Sequence, residues 1–139
     1  MQVQINLYAV LLAGLSSMVI GTVYYADKLF GATWKKLGKI DSKRFEKEMP
    51  RLMPMVFIAA LVASYTVAWV TFLYHEFFAG SWLSAGIITS LVLWLGLSAT
   101  TLYVHNGLDQ RPNQLTLISL GNRLFSLLAM GLIIGWLHP

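Results

Sequence analysis

Four long apolar stretches alternate along the chain with shorter polar segments. They cover residues 5–25, 54–74, 83–104 and 115–137, and each has about the 20 residues that a helix needs to cross the hydrocarbon core of a bilayer. Only the last stretch contains a charged side chain, Arg123. A soluble core has no use for four such segments, because each would need burial on every face. The pattern predicts an all-α, polytopic integral membrane protein.

The connections between the stretches predict how the four helices are arranged. Most of them are short, which favours a single domain over residues 1–139, folded as an up-down-up-down bundle of four transmembrane helices. The exception is the loop over residues 26–53. Its apolar residues recur at helical spacing between lysines, which predicts a short amphipathic helix that lies in the membrane interface.

The second half of this loop carries its own helix signals. Asp41 is suited to be an N-cap, so a second short helical segment is expected to begin there. Pro50 and Pro54 interrupt the pattern, and proline inside a helix removes a backbone donor and clashes with the preceding turn. We therefore expect these two prolines to redirect the chain into the second span.

Charge is distributed very unevenly. Charged residues make up 12% of the chain, against about 25% in soluble domains. Of the ten basic residues, eight lie in the loop 26–53, and residues 75–82 contain none. Basic residues are retained on the cytoplasmic side, which predicts a cytoplasmic loop and two outside termini. The net charge of +4 suits anionic lipid headgroups and not nucleic acid.

Aromatic and basic side chains mark the two expected membrane surfaces. Rings with one polar edge favour the headgroup level, and lysines beside them favour lipid phosphates. The expected partner is thus the lipid bilayer, through the interface residues Lys28, Trp34, Lys35, Lys36, Trp82 and Trp136.

Small residues recur along the spans at helical spacing. Lipid supplies no hydrophobic force between helices, so close backbone approach must hold them together. The stripes predict tight packing, either within the bundle or between subunits of a homo-oligomer, through Ala13, Ser17, Gly21, Ser64, Gly131 and Gly135.

Arg123 is the charged residue whose position inside an apolar stretch most needs an explanation. A central arginine costs about 2.5–3.5 kcal/mol on insertion scales, and counting from Leu115 places its Cα about 12 Å inside the span. We expect a polar arc that faces the bundle interior or a wet cavity, formed by Thr116, Ser119, Asn122, Arg123 and Ser126. Trp94, near the middle of the third span, is expected to face other helices because its indole N–H needs a partner.

Three interpretations of Arg123 stay open at this point. Its stem snorkels toward the cytoplasmic headgroups, or it pairs with Asp27 or Asp109. Alternatively, the guanidinium bonds helix carbonyls or a neighbouring subunit and so stabilises assembly. The third interpretation is a site for an anion or polar solute lined by Arg123, Asn122 and Ser119.

Catalytic and metal chemistry find little support. The chain has no cysteine, and none of its six acidic residues lies inside an apolar stretch. His75 and His138 fall at one expected surface and His105 at the other, which does not make a metal site. No phosphate loop, nucleophile elbow or carboxylate pair is present. We expect no catalytic residue, no cofactor and no metal, and lean against an enzyme.

Three segments resemble an uncharacterised bacterial membrane family, the domain of unknown function 1761. The similar residues are Tyr24-Tyr25-Ala-Asp-Lys-Leu29-Phe30-Gly31-Ala-Thr-Trp34, Trp94-Leu-Gly96, and Asn106-Gly107-Leu-Asp-Gln-Arg111 running into Ile118-Ser-Leu-Gly121-Asn122. Arg123 and the long lysine-rich loop are not part of this resemblance. It implies a small four-helix protein of the bacterial cytoplasmic (inner) membrane and brings no established activity.

Two functions follow as expectations. The first is an oligomeric channel or carrier for a small polar or anionic solute, and the alternative is a membrane assembly or lipid-interacting protein. One bundle of four helices rarely encloses a pathway, so transport would require subunits to share the site.

Overall fold

The computed structural model describes residues 2–139, and this part of the chain contains helices and no strand. The prediction of an all-α fold is confirmed. The elements in chain order are α1 (Leu7–Tyr24), α2 (Gly31–Leu37), α3 (Ser42–Phe78), α4 (Trp82–Leu93), a π-helical segment (Trp94–Ala99), α5 (Thr100–Leu108) and α6 (Asn113–Trp136).

Four of the helical stretches are long and apolar enough to cross a membrane, as predicted. They are Leu7–Tyr24, Ser42–Phe78, Asn113–Trp136, and Trp82–Leu108, in which α4, the π segment and α5 form one helix. With 18 residues, α1 is the shortest of them. Its length of about 27 Å is close to the thickness of a bilayer core, about 30 Å.

Helix α3 is longer than the sequence predicted. The expected break at Pro50 and Pro54 is wrong, because both prolines lie inside a continuous helix of 37 residues. Both rings are exposed, so water or lipid headgroups can satisfy the carbonyl groups that lose their helical donors. Asp41 caps this helix by accepting from the Lys43 N–H at 3.0 Å, as expected. The resulting helix, about 55 Å long, extends well beyond the other spans.

Helix α6 lies at the centre of the fold and packs against α1, α3 and α4. Two hydrogen bonds set α1 antiparallel to it. The Asn6 amide donates to the Leu137 carbonyl at 2.8 Å, and the Tyr24 hydroxyl donates to the Ile118 carbonyl at 2.7 Å. We call the end that carries residues 25–53 and 108–113 the loop end, and the end that carries residues 2–6, 79–81 and 137–139 the terminal end.

Glycines let α4 and α6 approach each other to backbone contact. A Cβ on Gly131 would overlap the Gly86 carbonyl oxygen and the Ser90 hydroxyl, and one on Gly135 would lie 2.6 Å from the Trp82 carbonyl oxygen. The Ser90 hydroxyl also donates to the Leu127 carbonyl at 2.7 Å. The Gly131–Gly135 pair thus has its partner inside the same chain.

The stripe of small residues on α1 is divided in two. Ala13 is fully buried, and the Ser64 hydroxyl of α3 donates to the Val10 carbonyl of α1 at 2.9 Å. Ser17 is only half-buried, and a Cβ on Gly21 would meet nothing within 4 Å. The small residues therefore pack closely in the terminal half of α1, whereas the stripe is open at Gly21.

Three aromatic rings stack at the terminal end. The imidazole of His75 lies 3.7 Å from Trp82, centroid to centroid, and the imidazole of His138 lies 5.3 Å from the same ring. Trp82, expected at the lipid interface, is half-buried in this stack. Trp136, predicted for the same role, is exposed.

Candidate functional site at the loop end

Tyr24 connects α1 to α6 at the loop end. Its hydroxyl donates to the Ile118 carbonyl, and its ring stacks on Phe30 with centroids 4.6 Å apart. A Cβ on Gly121 would overlap the Tyr24 hydroxyl. The absence of a side chain at Gly121 therefore makes room for the phenol on the surface of α6.

Helix α2 is held against the bundle by backbone contact and by aromatic rings. A Cβ on Gly31 would overlap the carbonyl oxygen of Tyr25, so only glycine permits this close turn. The Trp34 ring lies 4.9 Å from the Tyr25 ring and 5.9 Å from the Phe45 ring. The loop therefore folds as a platform between the end of α1 and the start of α3.

The lysines of α2 differ in their surroundings. Lys35 lies 3.4 Å from an Asp27 carboxylate oxygen and 5.5 Å from the centre of the Phe45 ring. Lys36 is exposed, as is Lys28 in the turn before α2. An open groove of about 620 Å³ runs beside Lys35 and Lys36, lined by Asp27, Ala32, Lys35, Lys36, Lys39, Ile40, Ser42 and Glu46. Three of its eight lining residues are cationic and two, Asp27 and Glu46, are acidic, which leaves an excess of one positive charge along the groove.

On the other side of α6, buried polar groups are paired with one another. The Trp94 indole N–H donates to the Leu120 carbonyl at 3.0 Å, which supplies the partner expected for it. The Asn106 amide donates to the Thr116 hydroxyl at 3.0 Å, and both residues are buried. These bonds join the third and fourth spans at the loop end.

The polar arc on α6 does not converge on an interior cavity. Thr116 is buried against Asn106, whereas Ser119, Asn122 and Ser126 are only half-buried. Arg123 is exposed on the outside of the bundle, so within a single chain it does not face the interior. The interior positions are occupied by small residues whose backbones touch, which leaves no room there for a guanidinium.

The two acidic partners expected for Arg123 are engaged elsewhere. Asp27 pairs with Lys35, and Asp109 lies 3.3 Å from His105 and 3.7 Å from Arg111. Within residues 2–139 the guanidinium of Arg123 has no carboxylate partner within 4.0 Å. The Arg123 charge acts on the phenol of Tyr25, which also interacts with the Ser119 hydroxyl.

The end of α1 gives a better measure of the depth of Arg123 than the start of the apolar stretch does. Tyr24, the last residue of α1, bonds Ile118, and Arg123 lies five residues further along α6. That separation is about 8 Å along the helix axis. Side chains of a helix tilt toward its N-terminus, which for α6 is the loop end. The side chain of Arg123 therefore leans toward the loop end.

Cavities elsewhere are either very small or open at the surface. A cavity of about 10 Å³ at the terminal end, next to Asn6 and Trp82, has room for about one water molecule. An apolar groove of about 440 Å³ lies open between α1 and α3. Among residues 2–139, no group of three or more His, Asp or Glu side chains is placed to hold a metal ion.

Sequence reasoning missed the convergence of distant segments at the loop end. Tyr24 and Tyr25 stood out in the sequence only as part of the family resemblance, and their interactions with Ile118 and Ser119 on α6 were not predicted. A signal was present in Gly31, since a glycine beside clustered aromatic residues is suited to close approach. The partners of the two tyrosines, about 90 residues away in sequence, are visible only in the folded chain.

These features define a class of protein: an all-helical, polytopic membrane protein with a cationic platform folded onto one end of its bundle. The chain belongs to the family described as protein of unknown function (DUF1761), whose family model matches residues 8–135. The predicted family is thereby confirmed. No curated protein and no solved structure matches the chain.

Proposed function

We propose that this protein is a lipid-interacting membrane protein that concentrates anionic phospholipids at its loop end. The observation that carries the proposal is the open groove lined by Lys35, Lys36 and Lys39. The platform that holds the groove in place is fastened to the bundle by the Gly31 turn and the Trp34 ring.

The charge of the loop supports this proposal. Residues 26–53 contain eight basic and four acidic residues, a net charge of +4. Two of the basic residues are paired, Lys35 with Asp27 and Arg44 with Glu48. Of the other basic residues, Lys36 and Lys39 line the groove, and each basic residue held near an anionic surface contributes about 1 kcal/mol.

The packing of the bundle favours lipid binding over solute transport by a single chain. The centre is filled by side chains that are fully or nearly fully buried, including Ala13, Ser64, Val67, Thr71 and Ser90. A channel or carrier would need a pathway between copies of the chain, with Arg123 at the contact. That function stays a prediction, and flux of a small anion through vesicles that contain only this protein would favour it.

Lipid preference can be tested on the purified full-length chain. Native mass spectrometry from mixed phosphatidylcholine and phosphatidylglycerol bicelles should show preferential retention of phosphatidylglycerol. Replacing Lys35, Lys36 and Lys39 with glutamine should reduce this preference, by about fivefold for each exposed lysine, because about 1 kcal/mol is lost per charge.

A variant with the same change in charge provides the control. Lys43, Lys47 and Arg51 lie near the start of α3 and do not line the groove. Their replacement by glutamine should leave most of the preference intact. Equal losses in both triple variants would contradict a localised groove, and equal retention of both lipids by the parent chain would contradict the proposed function.

We also propose that the loop end faces the cytoplasm of a bacterial cell, as the charge asymmetry of the loops favours. The chain has no cysteine, so a single Lys39→Cys substitution gives an unambiguous label site. That cysteine should resist a membrane-impermeant maleimide in intact cells and react after the cells are opened. Reaction in intact cells would show the opposite orientation.

Self-association of the chain stays a proposal, and fewer small residues support it than the sequence predicted. Ala13, Gly131 and Ser64 contact other helices of the same chain, so they are not free to contact a second copy. Substituting them would disturb the bundle before it altered an oligomer. The open half of the α1 stripe, at Gly21, is the small-residue position that stays accessible.

A further inference from the structure

We propose that Arg123, Tyr25 and Ser119 together bind the phosphate group of one phospholipid on the outer side of the bundle. This inference deepens the proposed function, because it names the chemical group that is bound and adds a site apart from the lysine groove. None of these three residues lines that groove.

The first argument is the charge of Arg123. It is exposed on the membrane-facing surface of α6, and no carboxylate among residues 2–139 lies within 4.0 Å of it. An unpaired cation at this depth is costly, and arginines in spans are stabilised by partners or by reaching the interface. The abundant anion on that side of the helix is the phosphodiester of a lipid.

The second argument is the position of the guanidinium. Arg123 lies about 8 Å further into the bundle than Ile118, which the last residue of α1 contacts. The side chain tilts toward the loop end, and an arginine stem buries its methylenes while it extends its charged group to the headgroup level. The guanidinium therefore reaches the level of Tyr25, which immediately follows α1.

The third argument is the set of donors that surround this position. Ser119 and Arg123 lie one turn apart on the same face of α6, and the Tyr25 phenol, at the end of α1, is close enough to interact with the Ser119 hydroxyl and to be influenced by the Arg123 charge. Arginine presents five N–H donors in a planar fork, and each hydroxyl adds one donor. A phosphate offers only acceptors, and its pairing with arginine is frequently bidentate. The three side chains thus match a phosphate both in charge and in hydrogen bonding.

The site differs from the lysine groove in the lipids it accepts. The groove attracts net negative charge and should prefer anionic lipids. The Arg123 site binds the phosphodiester group, which phosphatidylcholine and phosphatidylglycerol share. Failure of the groove to prefer anionic lipid would therefore leave this inference intact, and the two proposals can fail separately.

The test is solid-state NMR of the full chain in phospholipid vesicles without phosphate buffer. Arg44, Arg51 and Arg111 are replaced by lysine, so that Arg123 is the remaining arginine, and its Cζ is labelled with ¹³C. Dephasing by lipid ³¹P should place phosphorus within about 5 Å of Cζ, as N–H···O bonds of about 2.8 Å require. The result should be the same in phosphatidylcholine and phosphatidylglycerol vesicles.

Two further variants assign the site to its donors. Tyr25→Phe combined with Ser119→Ala should reduce the dephasing, because two of the three donor side chains are lost. Tyr103→Phe, which removes an exposed phenol of α5, should leave it unchanged. Thermal melts followed by circular dichroism check that each variant is folded.

Two outcomes would overturn the inference. Absence of ³¹P dephasing at Arg123 would show that another group neutralises it, such as an acid of a second copy. Equal dephasing in the parent and in the folded Tyr25→Phe, Ser119→Ala variant would show that Arg123 extends to the headgroups without forming a site with the two hydroxyls.

Discussion

Replacing Gly131 with alanine should lower the free energy of unfolding by about 2 kcal/mol or more. The new Cβ would overlap the Gly86 carbonyl oxygen and the Ser90 hydroxyl. A backbone oxygen cannot rotate away, so α4 and α6 must separate, and overpacking of this kind costs about 1–3 kcal/mol. The hydrogen bond from Ser90 to the Leu127 carbonyl, 2.7 Å long, would be strained at the same time.

Reversible unfolding in mixed micelles of mild detergent and dodecyl sulfate measures this loss. Gly21→Ala is the matched control, because a Cβ at that position of α1 would meet nothing within 4 Å. Alanine there should be neutral or stabilise the helix by up to about 1 kcal/mol. If Gly131→Ala unfolds at the same denaturant concentration as Gly21→Ala, the close contact between α4 and α6 is wrong.

Replacing Gly31 with alanine should release α2 from the bundle while the four long helices stay folded. A Cβ on Gly31 would overlap the carbonyl oxygen of Tyr25. Because that oxygen belongs to the backbone at the end of α1, relief requires movement of the whole turn, at a local cost of about 1–3 kcal/mol. The platform that carries Lys35, Lys36 and Lys39 would lose its defined position, and preference for anionic lipid should weaken with it.

Hydrogen exchange detects this release at the amides of α2. The N–H groups of Trp34 and Gly38 bond to the carbonyls of Phe30 and Trp34 at 2.8 and 2.9 Å. They should exchange faster in the Gly31→Ala variant, whereas amides of α6 should keep their protection. Gly107→Ala, at the same end but with open space around its Cβ, should leave α2 unchanged. Unaltered exchange in Gly31→Ala would mean that the turn tolerates a side chain.

Much of the architecture could be predicted because it depends on one-dimensional properties. The length and apolarity of four stretches predicted the four helices, and Asp41 marked the start of α3. The break at Pro50 was predicted wrongly, because the cost of a proline inside a helix falls when the carbonyls that it deprives of donors have another partner. On an exposed helix face, solvent or headgroups supply that partner.

The location of Arg123 could not be obtained from periodicity alone. A helical wheel shows which residues share a face with Arg123, but the direction of that face depends on where the neighbouring helices lie. In the folded chain, Gly131 and Leu127 contact α4 and Ile118 contacts α1. Arg123 therefore lies on a side of α6 that no neighbouring helix covers. Measured from the end of α1, Arg123 is also closer to the end of the span than the apolar stretch in the sequence predicted.

By itself the sequence determined that the chain is a four-span helical membrane protein with its cations collected in one loop. Hydrophobic length and charge distribution are additive along a chain, so no contact is needed to interpret them. Tertiary structure alone decided that Gly31, Tyr24 and Trp34 fold the loop onto the bundle, that the interior is filled by small residues, and that Arg123 lies outside. Each of these depends on which backbones approach within van der Waals distance, a property of helix pairs that no single helix encodes.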